Sequence, residues 1–219
     1  MEKSIESIWK EGFLNKNALV APKIMDLYNR KSIHIIDKFK RMFKINLIAI
    51  VVFSSVFLVV SYFIGIPIMG VIFFITLSIL VIINKQLLNG LEKIDKGESS
   101  YQYLKAFNDW IKKQVNINER ASRFLYPIIF LSFIFGFWFK DANGTLLGKR
   151  LVNKLIVSYP EMYLVQGVPL LGIIAVVVII IILALLGGII YRWDLNIVYG
   201  RVFKKLKELM ADMEELKNN

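Results

Sequence analysis

The sequence predicts an all-α membrane protein with four transmembrane helices, at about 45–64, 66–83, 124–139 and 168–191, and a cytoplasmic helical bundle. Three observations predict it. The 219 residues are 56% apolar, above the roughly 45–50% of a soluble domain. They nevertheless carry 28 Lys and Arg against 17 Asp and Glu, a net charge of +11. These two properties can coexist only if apolar and charged residues are segregated along the chain, and they are. Disorder and collagen-like repetition are excluded. The absence of Cys excludes disulfides, thiolate metal sites and a Cys nucleophile, and a single His excludes any multi-His metal site.

Residues 45–83 contain no charge over 39 positions. One helix of that length would measure about 58 Å, roughly twice the hydrocarbon core of a bilayer. The run therefore has to fold back. Gly65, Ile66 and Pro67 lie near its middle and give a turn signal, so 45–83 reads as a transmembrane hairpin. Residues 124–139 are bounded by Arg123 and Lys140 and half of them are aromatic. At about 24 Å this segment is short for a span, but cations at both ends can snorkel. A buried helix of a soluble protein is its competing reading. Residues 168–191 open with Pro169 in the expected first turn and contain an unbroken Ile and Val centre. Their length makes a helix the better reading than a buried strand. The 44 largely polar residues ahead of the first span do not fit a cleavable signal peptide.

Orientation follows from Lys and Arg. Segments 1–44, 84–123, 140–167 and 192–219 carry 10, 8, 4 and 6 of them. With four spans the division is 24 against 4, which places both termini in the cytoplasm of a multi-pass membrane protein. Were 124–139 not to cross, it would be 22 against 6, so charge does not decide the number of spans. The basic excess thus marks topology, and no nucleic-acid partner is expected.

The segments outside the membrane read as helix. In 1–44, Ile5, Ile8, Trp9 and Phe13 recur at helical spacing behind Ser4 as N-cap, and Pro22 marks the start of a second helix. Lys38, Lys40, Arg41 and Lys44 form a juxtamembrane cluster suited to anionic lipid, at about 1 kcal/mol per charge. Topology determination explains the same cluster. The lone His34 reads as a surface residue. Segment 84–123 holds two helices. The first continues the second span to near Gly97. The second, capped by Ser99 or Ser100, carries Leu104, Phe107 and Ile111 on one face. Segment 140–167 is an external loop, with a turn at Asp141–Gly144 and an interfacial helix that Pro160 ends. In 192–219 the stripe Val202, Leu206, Leu209, Met213 and Leu216 repeats by four and three. These two apolar faces serve helix packing, a protein partner or homo-oligomerisation.

No charged residue falls within the four spans, which argues against an ion-coupled transporter. No phosphate loop, metalloprotease or nucleophile-elbow motif is present. The expectation is no catalytic residue, no metal, no cofactor and no enzyme. Instead, the sequence reads as a non-enzymatic regulatory or scaffold protein binding a protein partner through its cytoplasmic helices. The alternative is a small oligomeric channel or accessory transporter subunit. Membrane lipids are the remaining expected partner.

Two stretches, Tyr103-Leu104-Lys105-Ala106-Phe107-Asn108-Asp109-Trp110-Ile111-Lys112 and Val198-Tyr199-Gly200-Arg201-Val202-Phe203-Lys204-Lys205-Leu206, resemble an uncharacterised family of bacterial four-helix inner-membrane proteins. The layout, with cytoplasmic helices ahead of membrane spans, is also similar to membrane-anchored anti-sigma factors. Those of the zinc-binding type carry a His–Cys–Cys motif, which a chain without Cys cannot supply. The resemblance implies an inner-membrane location and assigns no residue roles.

Overall fold

A computed structural model describes the backbone of residues 5–94 and 100–218, and the side chains of residues 30–94 and 101–214. Its elements are α1 (Ile5–Ile64), α2 (Pro67–Glu92), α3 (Ser100–Trp138), a hairpin of β1 (Asp141–Ala142) and β2 (Thr145–Leu146), and α4 (Leu147–Ser158). A second hairpin of β3 (Leu164–Val165) and β4 (Val168–Pro169) precedes α5 (Leu170–Asn218). Four of the five helices, α1, α2, α3 and α5, are long and apolar enough to cross a membrane.

The fold-back within 45–83 is where Gly and Pro place it. Gly65 adopts a positive φ of 82°, where a Cβ would be strained, and Pro67 starts α2 with the φ its ring already imposes. The Ile66 amide donates to the Ser61 carbonyl at 2.9 Å and closes the turn. Gly70 then lets α2 lie directly on Ser61, because an ideal Cβ there would overlap the serine side chain.

Helix bounds differ from the sequence expectation in informative ways. Segment 100–138 is one helix, not a cytoplasmic helix followed by a separate span. The charges at Glu119, Arg120 and Arg123 interrupt the hydropathy, but none of these residues breaks a helix. Pro127 lies inside α3 and costs it one backbone bond without ending it. Likewise α1 runs through Pro22 with no second start there. The segment boundaries at 44 and 123 therefore fall inside continuous helices, and α5 continues past 191 as expected of a helix leaving the fourth span. The second and fourth apolar helices begin at Pro67 and Leu170, because Val168–Pro169 belongs to a strand. Ser4, Gly97 and Ser99 lie outside the described residues.

The 140–169 region contains two tight hairpins flanking α4. Asn143 and Gly144 have φ of 56° and 77°, and Gln166 and Gly167 have 50° and 77°. Positive φ at both central residues is the turn geometry that matches strand twist. Asn-Gly announces the first turn; the second, built on Gln-Gly, was not expected. α4 packs on α3 through Gly148, where a Cβ would collide with the Trp138 ring, and Ser158 is its last residue, two before Pro160.

Side-chain exposure separates the long helices into two zones. On α1 the residues Ile45, Ile48, Val52, Val56, Val59 and Phe63 are exposed, and on α5 Leu171, Ile174, Val178, Ile181 and Leu185. Beyond this apolar belt the pattern inverts. Ile36, Phe39 and Phe43 of α1, Leu88 and Leu91 of α2, Tyr103, Leu104 and Phe107 of α3, and Tyr199, Val202 and Leu206 of α5 form one buried core. Phe39 is its hub. Its ring lies 5.3 Å from Phe107, 5.8 Å from Trp110 and 5.0 Å from Tyr199, between centroids. Such edge and tilted contacts add to the area buried.

Candidate functional site

The four long helices meet between the belt and the aromatic core, and here their buried side chains become polar. On α3 the apolar stripe of Phe107 and Ile111 continues at the same spacing as Gln114, Asn118 and Ser122, all buried. On α2, Asn84 follows Leu80 by one turn and is buried too. Asn84 and Asn118 exchange two amide bonds, of 2.8 and 3.0 Å. The Gln114 amide donates to the Tyr191 hydroxyl at 2.9 Å, and the Asn46 amide donates to the Tyr199 hydroxyl at 3.3 Å. The Tyr126 hydroxyl donates to the Asp194 carboxylate at 2.9 Å. Arg192 pairs with Glu119 at 3.0 Å nearby.

These groups surround a cavity of about 190 Å³ to which all four long helices contribute. Asn46, Asn84, Gln114 and Asn118 line it together with Tyr126, Tyr191, Asp194 and Tyr199. Ile50, Leu80, Leu125 and Val198 supply apolar wall. The cavity holds both hydrogen-bond donors and acceptors. Its lining carries one formal charge, Asp194, which already accepts the Tyr126 proton. Burial raises the Tyr199 hydroxyl above the usual phenol range, while the bond from Asn46 partly opposes this. Tyr199 is thus a neutral hydroxyl at physiological pH.

The expected lipid cluster divides in two. Lys38 and Arg41 are exposed and continue, at helical spacing, the line of Ile45, Ile48 and Val52. Lys44 instead turns to α2 and pairs with Glu92 at 2.6 Å. That bond, and then the Lys44 charge with a smaller contribution from Lys40, lowers the Glu92 carboxyl below its ordinary value. The two faces read as serving helix packing or a partner lie inside the chain: Leu104, Phe107 and Ile111 are buried with Val202, Leu206 and Leu209. Met213 packs against this core, and the Leu216 side chain lies outside the described residues. His34 is exposed. Among the described residues no group of three or more His, Cys, Asp or Glu is arranged to hold a metal ion.

The polar cavity was missed in the sequence. Its signal was legible: Gln114, Asn118 and Ser122 extend the phase of Phe107 and Ile111, and a polar residue in an apolar phase is a buried polar residue. The apolar face of Leu104, Phe107 and Ile111 ends just before that polar part begins at Gln114. No known protein family, curated protein or solved structure matches the chain.

Proposed function

We propose that the chain is a four-span membrane protein with both termini in the cytoplasm, and that it is a non-enzymatic regulatory or scaffold protein. The exposed belt supports the first part. Ile, Val, Leu and Phe stay exposed along four helices, far beyond the few hundred Å² that a soluble monomer leaves uncovered. Hydrocarbon is the solvent in which such a surface is stable. The Lys and Arg excess of 24 against 4 supports the orientation.

One observation carries the regulatory reading: α1, α3 and α5 run unbroken from belt to aromatic bundle. Continuous helices of this kind offer a direct path by which a displacement at one end reaches the other. The stripes on α3 and α5 cover one another, so they are not the partner surface. The amphipathic sequence at Ile5, Ile8, Trp9 and Phe13 is assigned that role. A similar layout in membrane-anchored anti-sigma factors fits this reading. The test is a photo-crosslinking residue at position 9 or 13 of the full-length protein in its native membrane. A discrete heterologous adduct, lost when Ile5 and Ile8 are changed to Asp, is expected. Adducts only to the protein itself, or none, would refute the partner reading.

A further inference from the structure

We infer that the junction cavity binds one uncharged, hydroxyl-bearing amphiphile, of the chemical class of a monoacylglycerol. The inference rests on the membrane reading of the belt, because the ligand's chain has to leave the cavity into hydrocarbon.

Four features select this chemistry. First, size: a space of about 190 Å³ is far above the roughly 10–15 Å³ that one water requires, so the cavity admits a small polyol head. Second, charge: Asp194 is held by Tyr126, and a phosphate placed beside it would face an anion with no cation in the lining. Third, hydrogen bonding. Each of the pairs Asn46–Tyr199 and Gln114–Tyr191 uses one group of the amide and one lone pair of the hydroxyl. Each pair therefore retains a donor and an acceptor, whichever way the amide is turned. A vicinal diol supplies the complement of both. Fourth, polarity has a direction. Ile50 and Leu80 lie one helical turn nearer the Gly65 fold-back than Asn46 and Asn84, so on α1 and α2 the apolar wall faces the belt and the amides face the bundle. Leu80 and Leu125, which line the cavity, also line an apolar groove between α2 and α3 with the exposed Ile79 and Ile128, which gives the ligand's chain a path to the belt.

The experiment uses the full chain purified in detergent, with 1-monooleoylglycerol as probe and phosphatidylglycerol as comparison. At a hundredfold excess over its dissociation constant, the monoacylglycerol should raise the unfolding temperature by about 5 °C or more. Native mass spectrometry should show one bound molecule per chain. Tyr199→Phe, which removes one hydroxyl, should weaken binding about tenfold. Leu125→Phe, which narrows that path and alters no hydrogen-bonding group, should weaken it as well. Each variant's unfolding temperature without lipid reports whether it folds. No shift on adding the monoacylglycerol would mean a cavity holding water only and would overturn the assignment. So would an equal shift with phosphatidylglycerol, or shifts unchanged in both variants. An alkaline carbonate wash of membranes separates this failure from the other: release of the chain sinks the membrane reading itself, whereas retention without a lipid effect sinks only the site.

Discussion

At the scale of single residues, close approach governs where the helices meet. α3 and α5 touch at Gly187 and Gly188. An added Cβ at Gly187 would lie 2.8 Å from the Ser122 carbonyl oxygen and 3.0 Å from the Arg123 Cα. Both are backbone atoms that cannot rotate away. Gly187→Ala is therefore expected to destabilise the protein by about 1–3 kcal/mol, read as a fall in the detergent unfolding temperature. Gly172 lies on the same helix, but its nearest neighbour would be 3.9 Å away. Gly172→Ala should leave the temperature unchanged or raise it, and equal effects at the two sites would contradict the packing. Tyr103 gives a prediction of a different kind. It is 1% exposed and, among the described residues, its hydroxyl is a buried polar group without a hydrogen-bond partner. Burial, and secondarily the Asp37 charge, raises that hydroxyl above the usual phenol value. Burial raises Tyr199 too. A raised phenol favours the folded state only while neutral. Its contribution is complete below about pH 10 and is lost as pH rises through the folded values. Stability should thus be insensitive to these groups between pH 7 and 9.5 and decline above pH 10. Tyr103→Phe removes the unpartnered group, so it should be neutral or stabilising at pH 7 and should lose less above pH 10. A marked destabilisation at pH 7 would contradict the burial.

At the scale of elements, the central feature is that one helix serves two environments. α3 passes from the aromatic core, through the polar cavity, to the exposed apolar belt with no break. Spin labels at positions 113 and 133, both exposed, are twenty residues apart. At 1.5 Å per residue a continuous helix separates them by about 30 Å. A narrow distance distribution there is expected, and a broad one centred below about 20 Å would mean a break near Arg123. This same element shows what was legible. The apolar length of 124–139 and the Leu104, Phe107 and Ile111 face both stood out, because length and period read directly from residue type. Their union into a single rod did not. Charge at Glu119, Arg120 and Arg123 marks where the exposed apolar face ends, not where the helix ends, and hydropathy confuses the two. The Gly65–Pro67 fold-back and the Asn143–Gly144 turn were legible because positive φ and Pro leave a signature in residue type. The Gln166–Gly167 turn was not, because Gln is an uncommon occupant of the left-handed region. The cavity required knowing which residues of four helices share one level, and no single-helix pattern carries that information.

At the scale of the whole molecule, the apolar and basic excesses are one arrangement seen twice. The belt collects the exposed Ile, Val, Leu and Phe, while Lys38 and Arg41 on α1 continue its line beyond Ile45. The bundle on the Lys- and Arg-rich side is closed by rings from α1, α3 and α5, with Phe39 at the centre. The cavity lies at the level between that bundle and the belt, where all four long helices contribute side chains. All of this depends on α3 crossing the bilayer, the span that charge counting leaves open. The chain contains no Cys, so single introduced cysteines report without background. Labelling with a membrane-impermeant maleimide, on intact cells and on inverted vesicles, tests the crossing directly. Arg150→Cys should react only from outside, and Lys112→Cys and Lys204→Cys only from the cytoplasmic face. Reaction of Arg150→Cys from the same side as Lys112→Cys would show that α3 does not cross, and would contradict the four-span account.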